Sequence, residues 1–389
     1  MEVVVGKRWL GGLVCGVLGL YAPTAWGCGG GGIATREAGV VVDAQRVIIS
    51  TRSSGVTDIV AQVTVPRTTA DYGLLIPVPS EPTLDSEPID VEDLESLDLS
   101  TAPTIVVEER SSGGRYCTAG GLDSAPPNRG LTVGSVVEIG PVEAVSLTGN
   151  EPEDVETWLD ENGFVLGEEG KSVLERYVRP GAYFIAVRRS KKAPSDGPSS
   201  LGIHYSLAGN HRMLTLGFAR IGAAEKVAFT VFVAGPSAVG PSAPFVPLTV
   251  DDLDAGILRH VSYEAAVTEA VAERGSKAFV LESKTRARSL RGNVPGLTRL
   301  FDEDAIITRA TTIIDREELE LDAYFTKPFE QDLPTHRYVF GVRHPMQLWG
   351  TSMGVMMGAA VGWTLRRRRG GVTRRAVLAG AGKGRIEGQ

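Results

Sequence analysis

Between Arg343 and Arg366 the chain carries no Lys, Arg, Asp or Glu, and four arginines, Arg366, Arg367, Arg368 and Arg369, follow at once. At about 1.5 Å per residue a helix over residues 348–365 would be a rod of roughly 27 Å, close to the depth of a bilayer core. Trp349 and Trp363 fall near its two ends, where amphipathic indoles sit at membrane interfaces. The expectation is one transmembrane helix, residues 347–365. The arginines act as a stop-transfer signal that keeps a basic tail, residues 366–389, in the cytoplasm. A Gly/Ala/Met-rich buried helix of a soluble body is the alternative. Gly350, Gly354, Gly358 and Gly362 recur every fourth residue and share one helix face. That small-xxx-small surface suits pairing with another membrane helix, of this chain or a different one.

The N-terminus has the three-part form of an export signal. Lys7 and Arg8 precede the apolar run LGGLVCGVLGLYA, and Ala25-Trp26-Gly27 offers a small-x-small cleavage site. A signal peptide is expected over residues 1–27, which leaves Cys28 first. Acylation of Cys28 is one outcome and plain cleavage the other. A lipobox places Leu three before the cysteine and a small residue two before, where this chain has Ala25 and Trp26.

With Cys15 removed, only Cys28 and Cys117 remain. In an oxidising compartment the pair suggests one disulfide, closing a loop of roughly 90 residues and contributing on the order of 4.5 kcal/mol. Two independent thiols are the alternative.

The charge is unevenly spread. Between Cys28 and Leu365 stand 30 Lys/Arg against 45 Asp/Glu, about −15, while the tail is basic. Phosphate backbones need clustered cations, so an acidic body argues against nucleic acid as a partner. An apolar fraction of 42% is enough to build a core.

The exported body, residues 28–325, reads as β-dominated α+β: antiparallel sheets or a sandwich with a few packed helices. It could hold two subdomains with a break near residue 150. RVIIST and TDIVAQVTV are strands joined by a turn at Ser53-Ser54-Gly55, with apolar and polar residues alternating in the second. YGLLIPVP is a third strand, whose Pro77 and Pro79 suit an edge or a strand end. SEPTLDSEPIDVEDLESLDLS is densely acidic and reads as a solvated helix or loop, since the odd-position spacing and central glycine of a calcium loop are absent. DDLDAG at residues 251–256 resembles such a loop only superficially.

Short strands are expected either side of Gly140-Pro141. A helix capped by Asn150 with Glu153 follows, then another over residues 171–178. AYFIAVRR, LGIHYSL, RMLTLGFA and VAFTVFVAG are four successive strands, expected to form an antiparallel sheet. A helix over residues 263–274 stops at Gly275, and KAFVLES is a strand. From Arg286 onward the pattern is mixed, and residues 326–346 form a juxtamembrane linker.

Five histidines exist, His204, His211, His260, His336 and His344, and none stands in a zinc-protease pattern. His204 falls on a strand and His211 in the turn after it; a half-buried histidine and a turn histidine explain both. GPSAVGPSAP has no nucleophile elbow, and acids are too frequent for any two to stand out as a glycosidase dyad. The residues therefore point to no catalytic site, cofactor or metal.

DYGLLIPVPSEPTL, with CGGGG…VVDAQRVIIS, WLDENGFVLGEEGKSVLERYVRPGAYFIAVR and ITRATTIIDREELELDAYF, resembles the bacterial family called domain of unknown function 2330, from about Cys28 to about Tyr324. The resemblance implies a secreted or membrane-anchored envelope protein and supplies no catalytic residues. Gly73 departs from the aromatic residue common in the family before the Pro-Val-Pro stretch, and only glycines follow Cys28 where a second cysteine is common. The sequence as a whole implies a membrane-anchored envelope protein with a noncatalytic binding or structural ectodomain. An exported hydrolase with an unrecognised site, or a surface protein whose C-terminal span is a removable sorting tag, are the alternatives.

Overall fold

The computed structural model describes residues 26–27, 31–33, 42–64, 73–107, 132–149, 151–162, 164, 166–179, 182–190, 200–333 and 337–340. The longer elements of the first half are β1 (Val42–Thr51), β2 (Val56–Thr64), β3 (Gly73–Val78), the two-residue β4 (Thr83–Leu84), α1 (Val91–Thr101), β5 (Val142–Gly149), α2 (Pro152–Glu161), α3 (Glu168–Tyr177) and β6 (Ala182–Arg189). The second half adds β7 (Ser200–Ala208), β8 (Ala223–Gly235), β9 (Val246–Thr249), α4 (Tyr263–Ala272), β10 (Ala278–Arg286) and β11 (Ile306–Asp315). Among the described residues, no helix is long and apolar enough to cross a membrane. Residues 1–25 of the expected signal peptide, Cys28, Cys117, the glycine face from Gly350 to Gly362 and Arg366 to Arg369 lie outside the described residues.

Two sheets carry the body. Among the described residues, the first has nine strands in the order β9-β10-β11-β8-β1-β2-β7-β4, with Trp26–Gly27 pairing beside β1. The second has six strands among the described residues and centres on β3, β6 and β5. β5 and β6 flank residue 150 in sequence and are direct antiparallel neighbours in that sheet.

Three cores stack these sheets between helices. Val47, Ile49, Ile59 and Ala61 of the first sheet meet Leu74, Ile76, Ile185 and Val187 of the second. On the outer face of the second sheet, Leu75, Leu147 and Phe184 pack on Val155, Trp158 and Leu159 of α2 and Leu174 of α3. On the outer face of the first, Ile48, Val60 and Phe232 pack on Leu94 and Leu97 of α1 and on Leu290 and Leu297 beyond β10. The order within the body is helices, sheet, sheet, helices.

The structure departs from the sequence expectations in several places. The first sheet is mixed, because β1 runs parallel to β8 and β9 parallel to β10. Parallel neighbours need a crossover, and the chain between β1 and β8 makes one by building the second sheet on the way. The four successive strands are not one sheet: β6 lies in the second, while β7 and β8 lie in the first without touching each other as ladder partners. RMLTLGFA is a two-residue strand followed by a helical turn, Leu216–Ala219. Its positions 214–219 are all buried, which a half-exposed strand does not allow.

The acidic stretch contains α1, whose Leu94 and Leu97 are buried against the sheet rather than solvated on all sides. Helix α2 begins at Pro152 with Glu151 at its cap and no side-chain capping bond. Asp254 caps the turn Ala255–His260 and Asp252 closes a capping box with Thr249, so DDLDAG serves helix starts. Proline 77 sits inside β3 opposite Phe184, not at an edge. The strand on its other side, Gly31–Ile33, reaches only Gly73, Leu74 and Leu75. The missing N–H of Pro77 therefore falls beyond that ladder, among the described residues.

Gly73 marks a close approach. A Cβ there would lie 2.3 Å from the Phe164 ring, so the benzyl group occupies the space an aromatic side chain at position 73 would need. Gly73→Ala is expected to cost about 1–3 kcal/mol by overpacking. The penalty should shrink when the same change is made in a Phe164→Ala background, as a double-mutant cycle in urea would show.

Candidate functional site

Alternation along β2 and β7 points Ile59, Ala61, Ile203 and Tyr205 into the inter-sheet core. The intervening polar residues fall on the opposite face, where α1 and the segment leading to it cover them. Asp58, Gln62, His204 and Arg46 are 3%, 1%, 6% and 7% exposed. The polar face of these strands is thus a buried polar layer rather than a solvated one.

At its centre stands His204. In the β2–β7 register Asp58 lies opposite Ser206 and Val60 opposite His204, so Asp58 is a diagonal neighbour of the imidazole. β4 pairs with the other side of β7 and delivers Asp85, whose backbone N–H donates to the His204 carbonyl at 3.1 Å. His204 Nδ1 is 2.9 Å from Asp85 Oδ2, and Nε2 is 3.0 Å from Asp58 Oδ1. Ser206 Oγ donates to Asp58 Oδ1 at 2.7 Å, and Arg52 forms an ion pair with Asp58. Arg299 reaches Asp85 Oδ2 at 2.5 Å and Glu87 at 3.4 Å.

Burial by itself would raise the carboxyl of Asp58, but hydrogen bonds from His204, Ser206 and Arg52 outweigh it and hold the group below its ordinary range. The same balance, with His204, the Glu87 N–H and Arg299 as donors, brings Asp85 down to about 2. With both carboxylates ionised, each imidazole nitrogen faces a carboxylate oxygen.

This geometry decides the chemistry. A catalytic triad needs a histidine with one nitrogen free for a nucleophile's proton and a serine aimed at it. Here neither nitrogen is free, and Ser206 donates to Asp58. The cluster is a clamp joining β2, β7, the β4–α1 segment and the turn around Arg299. Because the Asp85 carboxyl titrates near 2 when folded and at 3.8 otherwise, its stabilising contribution is complete above about pH 4 and is lost as pH falls through 2. Asp58 acts in the same direction. Asp85→Asn is expected to flatten the stability profile between pH 4 and 2 by about 1 kcal/mol, discounted for the partial exposure of Asp85. Urea unfolding at stepped pH checks it.

A second buried network lies along the same face. Asp98 of α1 receives Arg46 at 2.8 Å and Arg309 of β11 at 2.8 Å. Arg309 also forms an ion pair with Glu282 of β10, which is 0% exposed, and Tyr263 of α4 donates to Glu282 at 2.5 Å.

His211 bonds through Nε2 to the Ala208 carbonyl at 2.7 Å, so it shares no partner with His204. His260 closes the turn Ala255–His260; His336 and His344 lie outside the described residues. No group of three or more His, Cys, Asp or Glu placed to hold a metal occurs among the described residues. The open groove lined by Glu169, Arg220, Glu225, Asp315, Arg316 and neighbouring glutamates is cross-paired, with Arg220 2.8 Å from Glu169 and Lys226 bonded to Asp315.

Sequence reasoning missed Asp58, Asp85 and Arg299 as companions of His204, since they come from three distant segments. A usable signal was the alternation itself, which sets Asp58 and His204 at the polar positions of β2 and β7.

A family model described as "Uncharacterized protein conserved in bacteria (DUF2330)" matches residues 22–223. The chain belongs to the DUF2330 family. The match takes in β1 to β7, hence Asp58, Asp85 and His204, and ends where β8 begins. Arg299, Glu282 and Arg309 stand beyond the part matched to DUF2330. No curated protein and no solved structure matches the chain.

Proposed function

We propose that the chain is a membrane-anchored cell-envelope protein, its body a noncatalytic binding or structural ectodomain outside the cytoplasm. The observation that carries this reading is the pairing of an export-type leader, residues 1–27, with an uncharged stretch ended by Arg366 to Arg369. The anchor is a single span over residues 347–365, with the C-terminus in the cytoplasm. Its glycine face, Gly350, Gly354, Gly358 and Gly362, pairs with a second membrane helix. Cys28 and Cys117 form one disulfide. The excess of acids in the body supports a partner other than nucleic acid. The clamp at His204 supports a noncatalytic role, because its hydrogen-bonding capacity is turned inward.

Fractionation of cells producing the full chain tests the address. The protein should resist carbonate extraction from membranes, and protease added to spheroplasts should digest the body while sparing a tag on the C-terminus. Release as a soluble form of full mass would overturn anchoring; loss of the mass beyond residue 346 would identify a removed sorting tag instead. A screen of ester, peptide and glycoside substrates should give no turnover. Turnover abolished by one histidine or carboxylate substitution would overturn the noncatalytic reading.

A further inference from the structure

Buried arginines in this body meet carboxylates: Arg46 meets Asp98, Arg188 meets Glu143, and Arg309 meets both Asp98 and Glu282. Arg212, half-buried in the turn after β7, is different. Its Nε donates to Thr51 Oγ1 at 2.9 Å, and Thr51 Oγ1 in turn donates to the exposed Asn210 Oδ1 at 3.3 Å. The guanidinium lies against the end of β8 at Gly235, where a Cβ would come within 2.6 Å of Nη2 and 3.3 Å of Cζ. A larger residue at 235 would displace the guanidinium from that position. The two Nη groups have no acceptor among the described residues. Burial pushes the group down from its ordinary pKa with no anion offsetting it, although acids outnumber bases in the body by 45 to 30.

A planar fork fixed at Nε, with neither Nη bonded to an acceptor among the described residues, matches the two oxygens of a carboxylate. We propose that Arg212 anchors a carboxylate-binding site, with Thr51 and Asn210 orienting the guanidinium and Gly235 giving it room. A single cation suits a monoanion; a phosphate dianion usually recruits further cations or a helix N-terminus. At this end of the sheet Asp302 accepts from the Ser53 N–H at 2.7 Å and Asp58 pairs with Arg52, so both acids are engaged by other groups. The site stands whether or not the chain is membrane-anchored.

Saturation-transfer NMR on the full chain, with acetate as probe, tests it. Wild type should give a saturable signal. Arg212→Gln should weaken it by about tenfold or more, and Arg212→Lys, which keeps the charge and loses the fork, should weaken it by several-fold. Thr51→Val should also weaken it, with an unfolding midpoint close to wild type. Displacement of acetate by acetyl-Gly-Glu-Gly-amide at lower concentration than by succinate would assign the site to an acidic peptide segment, and the reverse to a free organic acid; both support carboxylate recognition. An absent signal, a signal unchanged in Arg212→Gln and Arg212→Lys, or tighter competition by inorganic phosphate would overturn it.

Discussion

Replacing Arg309 with methionine is expected to lower the stability of the body by about 3–5 kcal/mol, the usual cost of removing one partner from a buried ion pair. The guanidinium faces Glu282, itself fully buried, and bridges to Asp98 on α1. Taking it away leaves two carboxylates in a low-dielectric layer with less compensation than before. The expected fingerprint lies in the pair. Arg309→Met with Glu282→Met should regain more than half of the loss, since an apolar pair of similar volume is tolerated where a half-pair is not. Chemical denaturation followed by tryptophan fluorescence measures both. A double variant as unstable as the sum of the singles would show that the two charges are independent.

His204→Ala is expected to cost about 2–4 kcal/mol. It opens a cavity where a buried imidazole stood and leaves Asp58 and Asp85 facing each other across it. Arg52, Ser206 and Arg299 remain, which is why the loss stays below that of a fully orphaned charge. His204 joins three segments far apart in sequence, so the loss should couple to Asp85. In a His204→Ala and Asp85→Ala cycle the interaction energy should exceed about 1 kcal/mol. Strict additivity would sink the account of His204 as a clamp.

The elements written in one continuous stretch were legible in the sequence. The hairpin of β1 and β2 turns at Gly55, whose φ is +80°, and alternation marks β2. Ser262 caps α4, with Val267, Ala270 and Val271 buried as their spacing implies. β11 was not legible, because its ten residues are buried on both faces at eight of the ten positions and such a strand has no alternation to read. The clamp was hidden for a different reason. Polar residues at alternate strand positions imply a wet face by default. Whether α1 covers that face depends on Leu94 and Leu97, which are scattered among acids that dominate the composition of the segment.

The matched family segment stops at residue 223, where β8 starts, yet β8 is the strand that fills the place between β1 and β11. Synthesised from its N-terminus, the chain pairs β1 with β2 at once but must wait roughly 170 residues for β8, the strand that fills the other edge of β1. In that interval one side of β1 offers unsatisfied backbone groups to any strand that passes. The topology therefore postpones completion of the larger sheet until nearly the whole body exists. A fragment cut at the family boundary would keep β1 in that unfinished state and is expected to aggregate rather than fold.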